Sequence, residues 1–246
     1  MRRYLNYLFK LFASIKDGNF SVFREYCPNC TKSRFFIKPG REAYLTKCLT
    51  CKSSLISLSL LKTIKAHEKF IKFQKTYELS FHGIIYNYLK KKSSSFYFSE
   101  FFSFSKNKFV NGVRNEDIQK LSFRNNFFNL ITCTEVLEHV PNYKQALKEV
   151  FRVLNTGGYF IFTIPLFSTS KTRQIAYIDI NNNIRWLTDP EFHGSRITGP
   201  NSVPVFWRHS EKQILLDLKD AGFSKAHLKS FYWNKNILQK VIIAVK

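Results

Sequence analysis

One stretch of the sequence, residues 128–165, decides the fold: FNLITCTEVLEHVPNYKQALKEVFRVLNTGGYFIFTIP. It begins with an apolar run, F-N-L-I-T-C-T, which is typical of a strand buried on both sides. Apolar residues then recur at the helical period between Asn142 and Leu154, and N-T-G-G stops that helix. A second apolar run, Y-F-I-F-T-I-P, predicts the next strand. A strand, a helix and a strand in this order predict a parallel unit of an α/β sheet.

The same alternation continues on both sides of this unit. We expect further strands near residues 75–79, 96–99, 226–232 and 241–245, and helices at residues 83–91 and 210–221. Ser210 is the expected N-cap of the last helix, and Gly222, just past its other end, is a typical stop signal. Residues 57–246 are therefore predicted to form a doubly wound, Rossmann-like α/β sheet with an insertion at about residues 166–209.

The acidic residues of this basic chain cluster at predicted strand ends. The chain has 17 Asp and Glu against 39 Lys and Arg, a net charge of +22. Glu78, Glu100 and Glu135 each follow a predicted strand, and Glu116-Asp117 precede the third strand. The carboxyl ends of parallel strands line the ligand crevice of an open α/β sheet. These carboxylates indicate recognition of hydroxyls and amines, as in a ribose and an adenine, or else they cap the following helices.

Four of the five cysteines form two C-x-x-C pairs with a gap of 17 residues: Cys27, Cys30, Cys48 and Cys51. Each pair places two thiolates on a tight turn, and two such turns complete a tetrahedral Zn²⁺ shell. The segment between the pairs reads as a hairpin around Pro39-Gly40. We predict a structural zinc ribbon at residues 23–56, in preference to disulfides or free thiols.

The N-terminal part is the most basic, with 16 Lys and Arg against 4 Asp and Glu in residues 1–75. Such a segment could meet phosphate, or it is a solvated surface. Residues 1–22 have apolar positions at helical spacing, which predicts a basic amphipathic helix. That helix would dock on the chain's own core or contact an anionic membrane surface. The sequence shows no membrane-spanning run and no convincing signal peptide, so we expect reduced thiols and a cytoplasmic protein.

Residues 117–165 resemble the class I S-adenosylmethionine-dependent methyltransferases. The segments D-I-Q-K-L-S-F, E-V-L-E-H-V-P and R-V-L-N-T-G-G carry the resemblance, and a weaker likeness extends from about Thr76 to the C-terminus. The resemblance implies that the predicted sheet is a methyltransferase sheet that binds S-adenosylmethionine. The cofactor contacts that it implies are Glu78, Ser80, Gly83, Glu100, Asp117, Ile118, Cys133 and Thr134.

The resemblance also implies individual roles. Glu78 would lie near the methionine end of the cofactor, and Glu100 would bind the ribose hydroxyls. Asp117 would accept a hydrogen bond from the adenine amino group. The chain departs from the family motif E-x-G-x-G-x-G, because Ser80 and His82 stand where that motif has glycines.

The methyl acceptor is expected to meet two histidines. Methyl transfer is an in-line displacement that needs a positioned nucleophile and, for oxygen or nitrogen, sometimes a base. His139 is the candidate base, and Glu135 and Glu138 are expected on the same helix face. A similar E-x-x-E-H in quinone-pathway O-methyltransferases can hold a divalent cation, so a base, a cation site and a structural cap remain open. His193, in the insertion, is the second candidate.

Three functions follow from these patterns. The first is methyl transfer to a small-molecule or glycan-type acceptor, because the insertion is rich in Arg and Trp and could form a lid over an anionic or sugar-like substrate. The second is an RNA methyltransferase whose basic ribbon grips the RNA backbone. The third is a non-catalytic interaction protein, which the glycine-poor loop after Glu78 favours.

Overall fold

A computed structural model describes residues 20–40, 43–195 and 197–246. The strands of these residues are, in chain order, β1 (Phe20–Cys27), β2 (Lys32–Pro39), β3 (Lys47–Cys48), β4 (Lys75–Glu78), β5 (Ser95–Glu100), β6 (Phe109–Val110), β7 (Val113–Asn115), β8 (Phe128–Thr134), β9 (Leu154–Thr163), β10 (Leu166–Phe167), β11 (Arg173–Gln174), β12 (Ala176–Ile178), β13 (Ile184–Trp186), β14 (Phe192–Ser195), β15 (Gly199–Pro204), β16 (Trp207–Ser210), β17 (Lys225–Trp233) and β18 (Ile237–Val245). The α-helices are α1 (Leu55–Ala66), α2 (Gly83–Lys92), α3 (Tyr143–Val153) and α4 (Glu211–Asp220), and short 3₁₀ turns span Ala43–Leu45 and Leu137–His139.

The main sheet has eight strands in the order β17-β18-β9-β8-β4-β5-β7-β6. Strands β4, β5, β7, β8 and β9 run parallel, whereas β18 is antiparallel to β9 and β17 is antiparallel to β18. The strand order reverses between β4 and β8, where an open α/β sheet forms its ligand crevice. The five parallel strands end at one edge, which we call the carboxyl edge. The predicted α/β sheet is confirmed.

Both faces of the main sheet are covered. One apolar core joins the sheet to α3 and α4, with residues such as Leu147, Val150 and Leu218 fully buried. The other core joins the sheet to α1, α2 and the inner side of the β1-β2-β3 sheet. The small N-terminal sheet therefore shares a core with the main sheet. The helix α1 runs across the predicted boundary between residues 56 and 57.

Local signals placed most element ends correctly. The strand expected at residues 128–134 is β8, and the helix expected at residues 142–154 is α3 with Asn142 as its N-cap. Ser210 caps α4 by accepting a hydrogen bond from the Gln213 amide at 3.3 Å. The helix predicted for residues 1–22 lies outside the described residues, except that residues 20–22 belong to β1.

The insertion after β9 contains only short strands. They form three small sheets: β10-β16-β11, β12-β13 and β14-β15. Strand β16 leads directly into α4, and the Phe206 amide donates to the Glu138 carbonyl at 2.8 Å. This contact brings the insertion back to the end of β8.

Gly222, which follows α4, has a backbone conformation that favours glycine and lies against the Phe151 ring. Its φ is +110°, and an added Cβ would lie 2.8 Å from the Phe151 ring. That ring packs against Phe223 with 5.4 Å between centroids, so it has little room to move. We expect Gly222→Ala to lower the free energy of unfolding in urea by about 2–4 kcal/mol, from backbone strain and overpacking together.

Gly112→Ala is the matched control, because Gly112 also has a positive φ, +76°, but an added Cβ would meet no atom within 4 Å. Backbone strain alone should lower its free energy of unfolding by about 1–2 kcal/mol. Equal losses for the two variants would contradict the proposed clash with Phe151.

Candidate functional site

The predicted cofactor carboxylates meet at the carboxyl edge. Glu78 ends β4 and Glu100 ends the neighbouring parallel strand β5. Asp117 follows β7, the next strand outward, and Thr134 ends β8 on the other side of β4. The parallel order of these strands thus brings together residues that are up to 56 positions apart in the sequence.

Glu78 is the most enclosed of these acids. Its side chain is buried, and one of its carboxylate oxygens accepts a hydrogen bond from the Thr132 hydroxyl. Burial raises the pKa of Glu78 to about 8, and the nearby negative charge of Glu100 acts in the same direction. Glu78 therefore holds a proton at neutral pH in the structure as it stands.

Glu100 is more open to solvent at the edge. The Phe101 amide donates to one of its carboxylate oxygens at 3.3 Å. Burial raises the pKa of Glu100 above its usual range, and this amide opposes the shift. The second carboxylate oxygen has no hydrogen-bond partner among the described residues, so the carboxylate keeps acceptor capacity for a ligand hydroxyl.

The segment after β7 forms a tight turn. One Asp117 carboxylate oxygen accepts from the Gln119 amide at 2.8 Å and from the Gln119 side chain at 3.1 Å. Ile118 is buried. The preceding acid, Glu116, is held by Arg114 and by the Ser122 amide, so its carboxylate serves this turn. Asp117 and Ile118, the predicted adenine contacts, lie on the segment that follows β7.

Hydrogen bonds within the loop between β4 and α2 stabilise its backbone. The Ser80 hydroxyl accepts from the His82 amide at 3.4 Å and donates to the His82 carbonyl at 3.2 Å. Gly83 begins α2 with a φ of +96°. The amino end of α2 follows β4 directly, so its first-turn amides lie at the carboxyl edge, where they favour negative charge.

The end of β8 supplies the other side of the crevice. Cys133 is fully buried, and burial raises the pKa of its thiol well above the usual range. Thr134 is partly exposed at the strand end. Of these two predicted cofactor contacts, only Thr134 therefore reaches the surface at the carboxyl edge.

A cluster of one acid and two histidines lies beyond the end of β8. The His139 Nε2 atom is 3.1 Å from Nδ1 of His193 and 3.6 Å from a Glu138 carboxylate oxygen. The same Glu138 oxygen is 3.9 Å from Nδ1 of His193. Neither Glu138 oxygen has a hydrogen-bond partner among the described residues, although both are buried. We call these three residues the E-H-H cluster.

Hydrogen bonding fixes the tautomer of His139. Its Nδ1 atom lies 2.7 Å from the Pro204 carbonyl, which can only accept, so Nδ1 carries the proton. Burial lowers the pKa of His139 to about 4, so the ring is neutral at pH 7. The Nε2 lone pair therefore faces the other two members of the cluster.

The prediction that Glu135, Glu138 and His139 share a helix face is wrong. Glu135 has a φ of +53°, and Leu137–His139 forms a single 3₁₀ turn. Glu135 turns instead toward β9, where its amide donates to the Thr163 carbonyl at 3.0 Å. Pro141 follows this turn and α3 begins only at Tyr143, so no helix carries the three side chains.

The E-H-H cluster has the composition of a divalent cation site. Its ligand atoms lie within 4.8 Å of one another. Burial, and then the charge of Glu135, raise the pKa of Glu138 well above its usual range, because no cation of the described residues pairs with it. A bound cation would supply that missing charge, and His139 already donates its other ring N–H to a carbonyl, as metal ligands do.

The four cysteines of the ribbon also converge, and their two loops are alike. The amide of the residue after each pair donates to the carbonyl of the first cysteine, from Thr31 to Cys27 at 2.8 Å and from Lys52 to Cys48 at 2.9 Å. Thr31 and Lys52 both have a positive φ, 55° and 60°. The strands β2 and β3 pair antiparallel, as in the expected hairpin, but Pro39 is the last residue of β2 and β3 begins only at Lys47.

The sulfur atoms fit a tetrahedral Zn²⁺ ion. All four lie within 4.8 Å of one another, and those of Cys27 and Cys51 are 3.7 Å apart. Zn–S bonds of about 2.3 Å in a tetrahedron place sulfurs roughly 3.8 Å apart. Burial opposes ionisation of Cys51, but hydrogen bonds led by Ser53 lower the pKa of this thiol to about 7. The cluster is therefore compatible with a zinc ion.

A separate cavity lies away from the predicted site. It has a volume of about 470 Å³ and lies between α4 and the start of β17, lined by residues such as Lys219, Phe223 and His227. Lys225, at the start of β17, pairs with Val245, so this cavity is at the edge opposite the carboxyl edge. It contains none of the predicted site residues.

Comparison with known proteins agrees with this architecture. A family model described as a methyltransferase domain matches residues 97–162, about a quarter of the chain. A phthiotriol/phenolphthiotriol dimycocerosates methyltransferase of Mycobacterium ulcerans is 26% identical over 109 residues, 40% of each chain. A ubiquinone biosynthesis O-methyltransferase of Idiomarina loihiensis is 27% identical over 120 residues, 48% of each chain. The chain thus matches less than half the length of these curated relatives.

A solved structure shows the same fold. The 1,6-didemethyltoxoflavin-N1-methyltransferase of Burkholderia thailandensis, which holds S-adenosylhomocysteine, superposes with a TM-score of 0.51 over 78% of each chain, at 13% identity. The fold is that of S-adenosylmethionine-dependent methyltransferases. The domain match and the curated methyltransferases agree with this fold. In the part of the chain that the structure covers, no helix has the length and apolar character needed to cross a membrane.

The sequence did not predict how the residues of the E-H-H cluster assemble. His139 and His193 were each identified as candidates, but their contact joins segments 54 residues apart. Glu138 was placed beside Glu135 on a helix, whereas it joins the two histidines. No local pattern in one sequence could have found this convergence, since it depends on how the insertion folds back to β8.

Proposed function

We propose that this chain transfers the methyl group of S-adenosylmethionine to an oxygen or nitrogen of a small-molecule or glycan-type acceptor. The observation that carries the proposal is the pair of carboxylates, Glu78 and Glu100, at the ends of neighbouring strands beside the point where the strand order reverses. The relatives named above are methyltransferases of small molecules by their names, which favours such an acceptor.

Each cofactor residue has a proposed task. Glu100 would accept from the two ribose hydroxyls, and Asp117 would accept from the adenine amino group, with Ile118 packing against the adenine ring. Glu78, with Ser80, Gly83 and the first turn of α2, would hold the methionine end, and Cys133 and Thr134 would line the side formed by β8. S-adenosylmethionine, when bound, supplies the activated methyl group.

The E-H-H cluster is proposed to hold the acceptor. The neutral His139 can take a proton at Nε2 from an attacking hydroxyl or amine. If a divalent cation occupies the cluster, Glu138, His139 and His193 would be its ligands, and it would orient and acidify an acceptor oxygen. In either case these side chains position the nucleophile, which is the main requirement of an in-line displacement. Glu135, turned toward Thr163, would support the turn that carries them.

A non-catalytic role is the second candidate, and the state of Glu78 favours it. Its carboxyl is buried, protonated at neutral pH and hydrogen-bonded to Thr132, so it is engaged within the protein. Ser80 and His82 add side chains to a loop in which the family has glycines, and glycines allow close approach of the backbone to a ligand. Cofactor affinity separates this candidate from the enzyme.

Isothermal titration calorimetry of the whole chain with S-adenosylmethionine and with S-adenosylhomocysteine tests the proposal. We expect both ligands to saturate the wild type below millimolar concentration. Glu100→Ala should weaken both by about 10–100-fold, because it removes hydrogen bonds between a charged carboxylate and the ribose hydroxyls.

Asp220→Ala is the control, because Asp220 is an exposed acid at the end of α4, away from the carboxyl edge. Its affinity for both ligands should equal that of the wild type. If the wild type binds neither ligand up to millimolar concentration, the proposed activity is excluded and the non-catalytic role remains.

A further inference from the structure

The outer face of the ribbon sheet is an exposed surface with a composition unlike that of a simple structural staple. Strands β1 and β2 alternate between a buried and an exposed side. The buried side carries Phe23 and Phe36, whose rings stack with 5.4 Å between centroids. The exposed side, together with the residue that follows β3, is what we call the ribbon face: Val22, Arg24, Tyr26, Phe35 and Leu49.

Two aromatic rings stand out on the ribbon face. Tyr26 is 49% exposed and Phe35 is 56% exposed, although both belong to regular β-strands. Large aromatic side chains in such positions usually pack against something, because each can bury 150–250 Å². In the part of the chain that the structure describes, about half of the surface of each of these residues is exposed, so each ring offers a face to a partner.

The ladder register places an arginine beside both of these rings. Arg24 lies directly opposite Phe35 and two residues before Tyr26. Residues in these opposite and diagonal positions have Cβ atoms about 5–8 Å apart. Arg24 is exposed and has no acidic partner within 4 Å among the described residues. Two rings at about this spacing with a guanidinium beside them match an extended single strand, whose bases can stack while its phosphate meets the arginine.

The charges around the ribbon face favour the same partner. Residues 20–54 carry seven Lys and Arg against two Glu, in a chain of net charge +22. The core of a protein–protein interface is usually depleted of charged side chains, whereas Arg24 lies directly beside both exposed rings of this face. A nucleic acid strand carries both phosphates and flat base rings. It therefore matches both the positive charge and the exposed aromatic rings of the ribbon face.

The ribbon is also held near the candidate active site. Ile242 of β18 pairs with Phe162 near the end of β9, so residues 237–240 extend about 13 Å beyond the carboxyl edge. Phe36 of the ribbon packs against Trp233 at the tip of the hairpin formed by β17 and β18, with 5.6 Å between ring centroids. The inner side of the ribbon sheet thus faces this hairpin tip, and the ribbon face lies on the opposite side of the same sheet.

We propose that the ribbon face binds single-stranded nucleic acid, by stacking bases on Tyr26 and Phe35 and by pairing a phosphate with Arg24. This site is separate from the cofactor crevice and does not rest on the proposed methyl transfer. The partner is defined by the chemistry that RNA and DNA share, so the test compares both.

Fluorescence anisotropy with labelled U12 and dT12 oligonucleotides, on the zinc-loaded whole chain, tests this site. We expect saturable binding of single strands, with little loss when an unlabelled duplex competes. Tyr26→Ala with Phe35→Ala should weaken binding about 30-fold or more, since each lost stacking partner has a large effect. Arg24→Ala should reduce the slope of log K against log salt by about 0.7.

Two further variants are controls for indirect effects of the substitutions. Tyr26→Phe keeps the ring and should bind like the wild type. Tyr232→Ala removes an aromatic ring that is 68% exposed on β17, outside the ribbon face, and should not change the affinity. Tighter binding of U12 than of dT12 would identify RNA as the partner, and the reverse would identify DNA.

The proposal is overturned if the wild type binds neither oligonucleotide in low salt. It is equally overturned if duplex and single strands compete alike and the double aromatic variant binds like the wild type, because binding would then be a general effect of positive charge. Cofactor titration of the same samples reports on the methyltransferase proposal independently.

Discussion

Cys27→Ser is expected to unfold the main sheet together with the ribbon, in a single transition. A structural zinc site typically contributes about 10–16 kcal/mol of apparent binding free energy, and this energy is coupled to folding. A typical domain is stable by only about 5–15 kcal/mol. If the cluster holds zinc, as the cysteine spacing predicts, loss of one thiolate would remove a contribution as large as the stability of a typical domain.

Contacts between the ribbon and the main sheet explain why the effect should spread. Phe36, Cys27 and Cys48 belong to the same buried core as α1 and the β17-β18 hairpin. Trp233 contacts Phe36 and donates to the Ser59 hydroxyl of α1 at 2.9 Å. The Lys65 ammonium, also on α1, donates to the Pro28 carbonyl, between Cys27 and Cys30, at 2.8 Å. Unfolding of the two cysteine turns would expose this shared core.

Thermal unfolding followed by circular dichroism, with zinc content measured in parallel, checks this expectation. Addition of a chelator to the wild type should reproduce the effect of Cys27→Ser. Ser33→Ala, an exposed change on β2 outside the cysteine cluster, is the control and should shift the free energy of unfolding by less than about 0.5 kcal/mol. A variant that loses zinc but keeps the transition of the main sheet would contradict the coupling.

His139→Ala is expected to abolish binding of a divalent cation at the E-H-H cluster. The cluster offers one carboxylate oxygen and two imidazole nitrogens, and the His139 Nε2 lone pair lies between the other two groups. Removal of this ligand leaves two, so we expect the dissociation constant to rise by about 100-fold or more. His193→Ala should have a similar effect.

Titration with Mn²⁺, observed by electron paramagnetic resonance on the zinc-loaded chain, checks the cation site. Mn²⁺ suits oxygen and imidazole ligands and competes poorly for thiolates, so it should leave the ribbon zinc in place. His227→Ala, on the strand β17, is the control and should bind Mn²⁺ like the wild type. If the wild type binds no Mn²⁺ up to millimolar concentration, the cation is excluded and His139 remains as the candidate base.

The sequence predicted well those features that depend on neighbours along the chain. The alternation of apolar runs and helical periods gave β8, α3 and β9, and Asn142 and Ser210 cap the helices that were expected to begin there. The C-x-x-C spacing predicted two equivalent turns, and the turns that begin at Cys27 and Cys48 have the same backbone hydrogen bond and the same positive φ at their last residue. Each of these features is set within about one turn or strand, where single-residue preferences dominate.

The sequence predicted less well what lies after β8. The E-V-L-E-H segment has carboxylates and a histidine at helical spacing, and this spacing indicated a shared helix face. Glu135 instead takes a left-handed conformation, and Pro141 delays the helix to Tyr143. Tertiary contacts overrode the local period here, as the hydrogen bond from the Phe206 amide to the Glu138 carbonyl shows.

By itself the sequence determined the α/β class of the main sheet, the four-cysteine cluster and the carboxylates at strand ends, because each follows from spacing along one segment. Only the tertiary structure decided that His193 joins Glu138 and His139, and that Tyr26, Phe35 and Arg24 share one exposed face. The physical reason is the same in both cases. Such groupings depend on the register between segments, and register is set by long-range packing rather than by the residues on either side.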